Sequence, residues 1–360
     1  MKSPVAVIHS NAIRYNLLQI RKIVVHSRIM AIIKANAYGH GLLEIAKILK
    51  DLADGFGVAR ISEAIMLRNN DITNPILLLA GFVNINELPI IIKNEIDVVI
   101  QDIKQIEILE KIKLQKLIKV WMKIDTGMHR LGFRPEEAEI LYKRLIECKN
   151  IQKPINIISH FSMNDKPGLH DIAFQQLNCF NNFIKNKLGE KSIASSIGIL
   201  LWQISHLDWV RPGIMIYGAS PQEGKQGKDF GLLPAMTLKS YLIAIRKHKA
   251  GEPIGYGGIW ISDHDTTIGI VAIGYGDGYP SNAPSGTPIL INGRKVPIVG
   301  KVSMDMTSVN LGINSHDKVG DEAIIWGDLL PVEEIAKHTG ISHYELLTKL
   351  TSRVLIKYQE

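Results

Sequence analysis

The sequence predicts an α/β fold in which a closed (β/α)8 barrel of the TIM type is followed by a mostly β C-terminal domain. Up to about residue 218, short apolar runs alternate with longer segments whose apolar residues recur every three or four positions. Beyond about residue 235, the apolar residues recur at every second position. The first pattern is typical of βα units, and the second is typical of strands with one buried face. We therefore place the barrel domain at residues 1–225 and the β domain at residues 226–360.

Eight apolar runs have the length of barrel strands. They are RIMAIIK (28–34), GFGVARI (55–61), PILLLAG (75–81), DVVIQ (97–101), IKVWMKID (118–125), INIISHF (155–161), KSIASS (191–196) and VRPGIMIYG (210–218). Segments of helical period separate them, with typical helix starts at Ser62 and Pro135. Eight such units favour a closed barrel over an open doubly wound sheet. In a barrel, the chemistry gathers where the strands end.

A change of composition separates the two predicted domains. The segment Ala219–Met236 is rich in glycine, proline, glutamine and lysine, which is typical of a linker. In the strand-rich part that follows, Asn292–Gly293 is a strong hairpin signal. One helical pair is expected near residues 331–350.

The composition excludes several classes of function. The chain has 360 residues, a net charge of +7 and a pI of about 9.1, but its basic residues form no single tract. This distribution argues against nucleic-acid binding and leaves a preference for small anions. Neither a signal peptide nor an apolar run long enough to span a membrane is evident. We expect a cytoplasmic protein without nucleic-acid or membrane partners.

Lys34 ends an apolar run and is followed by the glycine-rich loop NAYGHG. Two interpretations are open at this point. The lysine either extends to the surface from the end of a strand, or is held in an apolar setting so that its amine acts as a nucleophile. The second interpretation requires partner groups elsewhere in the chain.

Two candidate groups concern anions. Arg211, Gly213 and Ile214 come at the end of the last predicted barrel strand, where free backbone N–H groups suit a phosphate. Lys123 lies inside another predicted strand, with Arg130 seven residues later. A lysine inside a barrel strand is costly unless it is neutral, paired or covalently modified.

Two further candidates have a plain structural interpretation as well. His160 ends a predicted strand, and such a histidine is more often structural than catalytic. Tyr256 stands between glycines in PIGYGGIW, where a turn tyrosine is the simpler reading. The run GYGDG (274–278) has no helix after it, so a turn is favoured over a phosphate loop. No cluster has metal-ligand spacing, and no metal site is predicted.

Taken together, these motifs resemble those of the alanine racemases, pyridoxal-phosphate enzymes that combine a barrel with a β domain. The resemblance runs from IHSNAIRYNL (8–17) to LTSRVLIKY (350–358). Between these two segments the motifs follow in family order: IKANAYGHG, KIDTGMHRLGF, HF, RPGIMIYG, GYGG, IGYGDGYP and GKVSMDM.

The resemblance implies that pyridoxal 5'-phosphate is the cofactor and that Lys34 binds it covalently. It also implies a phosphate site, formed by Tyr38, Ser196, Gly213 and Ile214. A tyrosine late in the chain completes this site in many relatives, and here we assign that position to Ser352 in LTSRV.

Further roles follow from the same resemblance. Arg211 would face the pyridine nitrogen and be supported by His160. Arg130 would contact the ring hydroxyl and the substrate carboxylate. Lys123, a position that is often carbamylated in this family, would orient Arg130.

The family's second base comes from the β domain of the partner subunit, and the resemblance assigns that role to Tyr256. Tyr275 would form a wall of the access channel, Met304 would donate its N–H to the substrate carboxylate, and Asp305 would support the same motif. The implied protein is a head-to-tail homodimer with shared sites. It would interconvert L- and D-alanine by a two-base mechanism and so supply D-alanine for peptidoglycan.

Three alternatives stay open from the sequence. The first is a serine racemase, or a racemase of broader specificity, with the same fold. The second is a pyridoxal-phosphate-binding protein without turnover, although single-barrel proteins of that kind lack the domain after residue 235. The third is a metal-dependent or phosphate-sugar barrel enzyme in which Lys34 is structural.

Overall fold

Eight parallel strands form the first sheet of the computed structural model, which describes residues 3–162 and 170–360. An N-terminal strand, β1 (Val5–His9), precedes them and belongs to a second sheet. The eight strands are β2 (Arg28–Ile32), β3 (Gly55–Val58), β4 (Ile76–Leu78), β5 (Ile96–Ile100), β6 (Val120–Lys123), β7 (Asn156–Ile158), β8 (Lys191–Ser192) and β9 (Trp209–Val210). β9 pairs with β2 and lies at one end of the sheet, and β8 lies at the other end. A parallel bridge between Ser195, after β8, and Arg211, after β9, joins these two ends. The predicted eight-stranded barrel is confirmed in nearly closed form.

Helices pack around this barrel and bury their apolar faces against it. They are Ser10–Ile23, Leu42–Leu49, Ile61–Arg68, Leu88–Lys93, Ile103–Lys111, Pro135–Glu147, His170–Ile184 and Ser196–Leu201. Pro135 occupies the first turn of its helix, where a missing N–H costs nothing. The predicted start at Ser62 falls one residue after the observed start at Ile61.

The barrel interior has its own small core. Alternate residues of the strands face inward and form a buried cluster that is separate from the larger core under the helices: Met30, Ile32, Leu77, Val99, Trp121, Ile158 and Trp209. Each large apolar side chain that is fully buried contributes roughly 1.5–3 kcal/mol. The packed interior closes the centre of the barrel, so ligands have access only at its ends.

The last predicted barrel strand is much shorter than expected. The run 210–218 was predicted to be extended, but β9 ends at Val210. Pro212 has no N–H to donate to a neighbouring strand, although its carbonyl accepts a hydrogen bond from Ile32 N at 2.9 Å. From Ile214 to Tyr217 the chain forms a 3₁₀ helix.

A second sheet forms most of the C-terminal part, which confirms the predicted β domain. Its long central strand β10 (Met236–His248) pairs with β1, with β13 and with β17. The remaining strands of this part are β11 (Pro253–Ile254), β12 (Trp260–Ile261), β13 (Thr266–Val271), β14 (Pro288–Ile291), β15 (Arg294–Pro297), β16 (Thr307–Asn310), β17 (Glu322–Trp326) and β18 (Leu355–Gln359). Asn292 and Gly293 join β14 to β15 with φ of 47° and 77°, which is the predicted hairpin turn.

The ends of the chain tie the two parts together. β1 pairs in parallel with β18, so the first and last strands lie side by side. The predicted helical pair is present as Val332–Thr339 and His343–Thr348. The hydroxyl of Tyr358 in β18 donates to the carbonyl of His40 at 3.0 Å. The C-terminal part therefore packs on the loop that follows Lys34.

Candidate active site

A cavity of about 620 Å³ opens where the carboxyl ends of the barrel strands meet. Nine of the residues singled out in the sequence line it: Lys34, Tyr38, Lys123, Arg130, His160, Ser196, Arg211, Gly213 and Ile214. They come from the ends of β2, β6, β7, β8 and β9, which is the face where barrel enzymes carry their chemistry. The barrel topology thus brings together residues that are far apart in the sequence.

Lys34 is held by an unusual backbone turn. The four residues after it, Ala35 to Tyr38, all have φ between 52° and 54°. This left-handed conformation costs a residue with a side chain on the order of 1–2 kcal/mol. Gly39 follows with φ of 83°, and a β-carbon there would stand 2.1 Å from the carbonyl oxygen of Leu347. The C-terminal helix therefore packs directly on the turn that carries the lysine.

A tight polar cradle lies on one side of the cavity. Gly213 N donates to Ser196 Oγ at 2.9 Å, and a β-carbon on Gly213 would stand 2.5 Å from the hydroxyl of Tyr38. The Tyr38 ring stacks on Tyr217, with centroids 4.8 Å apart. Burial raises the pKa of Tyr38 to about 12, so its hydroxyl stays protonated and can donate. Hydroxyl and backbone donors converging on a glycine suit a phosphate group.

Arg211 is the most firmly fixed cation of the site. It is 4% exposed, and its guanidinium donates to Ser192 Oγ and, at 2.6 Å, to Ser159 O. Burial lowers the pKa of Arg211 to about 9. The same guanidinium lies 3.3 Å from Nδ1 of His160. Because arginine only donates, this nitrogen of His160 has to accept.

His160 is kept neutral by its surroundings. Burial first, and then the positive charge of Arg211, hold the pKa of His160 well below its usual range. It therefore supports the arginine as an uncharged acceptor over the whole physiological pH range.

Lys123 and Arg130 lie on either side of a loop organised by Asp125. The Asp125 carboxylate accepts from Gly127 N at 3.1 Å and from His129 N at 2.9 Å. Lys123 is the last residue of β6, half-buried, and Arg130 is exposed on the loop beyond it. Burial first, and then Arg211 and Arg130, lower the pKa of Lys123 to about 8.

The cavity is therefore strongly cationic, with two lysines and two arginines in its lining. Burial, and next the charge of Arg130, lower the pKa of Lys34, while Glu63 acts in the opposite direction. A lysine whose pKa is lowered is more often in the nucleophilic amine form at neutral pH. The four cations favour a ligand with negative charges, such as a phosphate or a carboxylate.

Four residues that were predicted for the site lie outside this cavity: Tyr256, Tyr275, Met304 and Asp305. All four belong to the C-terminal part of the chain. Tyr256 is 71% exposed on the 3₁₀ turn between β11 and β12. Tyr275 and Met304 lie on neighbouring loops, because Gly276 N donates to Met304 O at 2.8 Å. In a single chain, the structure does not bring these residues to Lys34.

The late-chain tyrosine that lines the cavity is not at the position assigned from the sequence. Ser352 is exposed and does not line the cavity. Tyr344 does, from the helix His343–Thr348, and its ring centroid lies 6.1 Å from that of Tyr38. Burial raises the pKa of Tyr344, so its hydroxyl remains a donor. The sequence predicted a helix that includes HYELLT, and this helix brings Tyr344 to the cavity.

Two general features complete the description. Within residues 3–162 and 170–360, no group of three or more histidine, cysteine, aspartate or glutamate side chains is arranged to hold a metal ion. Over the same ranges, every helix is too short or too polar to cross a membrane.

Fold and cavity together define a barrel protein with a β C-terminal domain and a lysine of lowered pKa in a cationic cavity. Comparison with known proteins identifies the family. The family model "Alanine racemase, N-terminal domain" matches residues 8–221, and "Alanine racemase, C-terminal domain" matches residues 235–358. The chain belongs to the alanine racemase family and is an isomerase, as its motifs predicted.

Curated relatives and solved structures agree with this assignment. The chain is 58% identical over 358 residues to an alanine racemase of Yersinia pestis, and 54% identical over 359 residues to the biosynthetic alanine racemase of Escherichia coli K12. Each alignment covers 99% of both chains. The crystal structure of biosynthetic alanine racemase from Pseudomonas aeruginosa superposes with a TM-score of 0.96, at 39% identity and complete coverage of both chains. The structure of alanine racemase from Acinetobacter baumannii gives a TM-score of 0.92 at 33% identity, also over both complete chains.

Proposed function

We propose that the enzyme interconverts L-alanine and D-alanine with pyridoxal 5'-phosphate held in the cavity around Lys34. The observation that carries this proposal is the position of a lysine of lowered pKa beside a cradle of phosphate donors. Its family membership supplies the substrate, because the curated relatives are named alanine racemases.

The residues present fit this cofactor. Lys34 offers an amine for its aldehyde, and the Tyr38 hydroxyl lies so close to Gly213 that no side chain could stand there. Ser196, Ile214 and Tyr344 line the same part of the cavity. Once bound, the cofactor withdraws electrons from the substrate Cα, so that the proton on this carbon becomes removable.

Arg211 determines what kind of chemistry follows. Arg211 would be the residue that faces the pyridine nitrogen. Its guanidinium cannot accept a proton, and four acceptors of the protein hold it in place. With the cofactor bound, Arg211 would leave the ring nitrogen unprotonated, so that electron withdrawal from the substrate would be moderate. This favours return of the proton to Cα over transamination or decarboxylation.

Two bases on opposite faces of Cα invert the stereocentre. Lys34 takes or returns the proton on the face of the D enantiomer, and Tyr256 does so on the face of the L enantiomer. Tyr256 is 71% exposed in its own chain and lies outside the cavity that contains Lys34. We infer that it serves the cavity of a partner subunit, so the active form is a homodimer with two shared sites.

Substrate binding uses the remaining residues. Arg130 binds the substrate carboxylate and is oriented by Lys123, while the N–H of Met304 provides a second donor. Among the described residues, the N–H of Met304 has no hydrogen-bond partner, so it is free to donate. Tyr275 narrows the channel, and Asp305 fixes the loop of Met304. Small neutral side chains fit such a pocket best.

The biological role follows from the product. D-Alanine is a building block of peptidoglycan, and one of the relatives named above is described as biosynthetic. We place the enzyme in the cytoplasm, where the substrate and the cofactor are available.

A racemisation assay tests the proposal. Purified enzyme loaded with pyridoxal 5'-phosphate is given L-alanine, L-serine or L-lysine, and the D product is measured. Alanine should be turned over fastest, and both Lys34→Ala and Tyr256→Phe should lose about 100-fold or more, as expected for the loss of an acid–base group. The surface variants Lys47→Ala and Tyr15→Phe are matched controls that should retain activity. Faster turnover of serine or lysine would favour a racemase of another specificity, and no turnover would favour a cofactor-binding protein.

A further inference from the structure

Glu63 connects the lysine turn to the next barrel strand. One carboxylate oxygen accepts from Ala35 N at 2.7 Å. The other accepts from Ala59 N at 2.9 Å and from Arg60 N at 3.0 Å. Ala35 is the residue directly after Lys34, and both Ala35 and Ala59 line the cavity. One side chain thus binds the loops at the ends of β2 and β3 together.

The lysine end of the left-handed turn depends on this contact. At the far end, Leu42 N donates to Asn36 Oδ1 at 2.9 Å, and Gly41 N donates to Asn36 O at 2.9 Å. At the near end, the only acceptor for Ala35 N within the described residues is Glu63. A run of left-handed residues persists only where its surroundings hold it. Ala37 N donates to Ile33 O at 2.8 Å and so also holds this end of the turn, but without Glu63 the N–H of Ala35 loses its acceptor.

Within residues 3–162 and 170–360, Glu63 is also the one anion whose charge raises the pKa of Lys34. The charges of Arg130 and Arg211 lower the pKa of Lys34. Lys34 and Lys123 also repel each other when both amines are charged. His160 is neutral and adds no charge of its own. The carboxylate therefore offsets part of the repulsion that the cations of the cavity impose on Lys34.

We propose that Glu63 is a positioning residue, which anchors the left-handed turn through Ala35 and so sets the place and the charge of the Lys34 amine. This proposal rests on the proposed function only in taking Lys34 as the cofactor lysine. A role limited to helix capping would involve the contacts to Ala59 and Arg60 alone.

The test compares Glu63→Gln with Glu137→Gln. Glutamine has the same shape but only one acceptor atom, so it cannot satisfy Ala35 and the helix start at once. Glu137 occupies the same capping position in its own helix, where it accepts from Arg134 N at 3.2 Å, and is a matched control outside the cavity.

The first measurement uses the cofactor-free protein. Lys34 is labelled with a neutral amine reagent across the pH range, and mass spectrometry of its peptide gives the midpoint. In Glu63→Gln the midpoint should fall by about half a unit or more, because a favourable negative charge is lost, whereas Glu137→Gln should leave it unchanged. A midpoint in Glu63→Gln equal to that of the wild type would overturn the proposal.

The second measurement is the affinity for pyridoxal 5'-phosphate, which should fall in Glu63→Gln and stay normal in Glu137→Gln. If Glu63→Gln does not fold, Glu63→Asp provides the test, because its shorter side chain cannot span both loops. Affinity equal to that of the wild type in that variant would contradict the proposal. Failure of the proposed function would be recognised separately, by pyridoxal 5'-phosphate binding to Lys34→Ala as well as to the wild type.

Discussion

The hydroxyl of Tyr38 occupies the space into which any side chain on Gly213 would project. A β-carbon at Gly213 would stand 2.5 Å from this oxygen and 3.2 Å from the ring carbon that bears it. Because Gly213 N also donates to Ser196 Oγ at 2.9 Å, the glycine is held from both sides. The phosphate cradle of the proposed cofactor site thus depends on the absence of one methyl group.

Gly213→Ala should therefore weaken binding of pyridoxal 5'-phosphate by about 10-fold or more, since overpacking of this size costs roughly 1–3 kcal/mol. Equilibrium titration of the cofactor-free protein measures this change. In a Tyr38→Phe background the added methyl no longer meets the oxygen, so the further loss caused by Gly213→Ala should be smaller. An equal loss in both backgrounds would show that the contact with Tyr38 is not the cause.

Tyr344 should prove to be the late-chain tyrosine of the phosphate site. Tyr344→Phe removes one donor to a charged group, and we expect affinity for pyridoxal 5'-phosphate to fall by about 10-fold. Ser352→Ala alters an exposed position outside the cavity and should leave the affinity unchanged. The reverse ranking of the two variants would restore the assignment made from the sequence.

Lys123 should make stability depend on pH in the alkaline range. Its pKa is lowered to about 8 by burial and by neighbouring arginines, whereas in the unfolded chain it returns to its ordinary value of 10.5. Between these pH values the unfolded chain binds more protons, so the contribution of this group to stability rises with pH.

Lys123→Met removes the cost of burying the charged amine. At pH 7.5 the free energy of unfolding of the variant should be higher than that of the wild type. By pH 10 this difference should be smaller by on the order of 1–2 kcal/mol. Urea unfolding of the cofactor-free proteins in carbonate-free buffer measures both values. The same difference at both pH values would mean that the amine titrates normally.

Arg353 should fix the positions of the two loops that carry Tyr275 and Met304. Its guanidinium lies 3.0 Å from Asp277 Oδ1 and donates to Asp305 Oδ1 at 2.6 Å. Arg353→Ala should raise KM for alanine several-fold and should also lower the melting temperature, because it leaves the buried carboxylate of Asp277 without its cation. Arg294→Ala, which breaks the ion pair with Asp317 on another surface, is the control. Equal effects of the two variants on KM would remove this role from Arg353.

Most of the barrel was predictable because its signals are local. Each of the eight apolar runs overlaps an observed strand, and the hairpin at Asn292–Gly293 carries its own turn chemistry. The pairing of β1 with β10 and β18 was not predictable in this way, since it joins segments more than 200 residues apart. The run 210–218 was also predicted to be extended throughout, but β9 ends at Val210, two residues before Pro212.

The site shows the same division. Lys34, His160 and Arg211 were found because polar residues at strand ends stand out against an apolar background. The left-handed turn from Ala35 to Tyr38 contains no glycine, and of its four residues only Asn36 is of a type that favours this conformation. It is imposed by tertiary contacts such as that of Glu63, which sequence periodicity does not reveal.

Mixing two inactive homodimers tests most directly whether Lys34 and Tyr256 of different subunits share one site. In a heterodimer of Lys34→Ala and Tyr256→Phe chains, one site carries both changes and the other carries neither. Complete subunit exchange, verified by native mass spectrometry, should therefore restore about a quarter of wild-type alanine racemisation, the share expected for a symmetric dimer. If verified heterodimers remain as inactive as the parents, the two residues do not meet across a subunit interface.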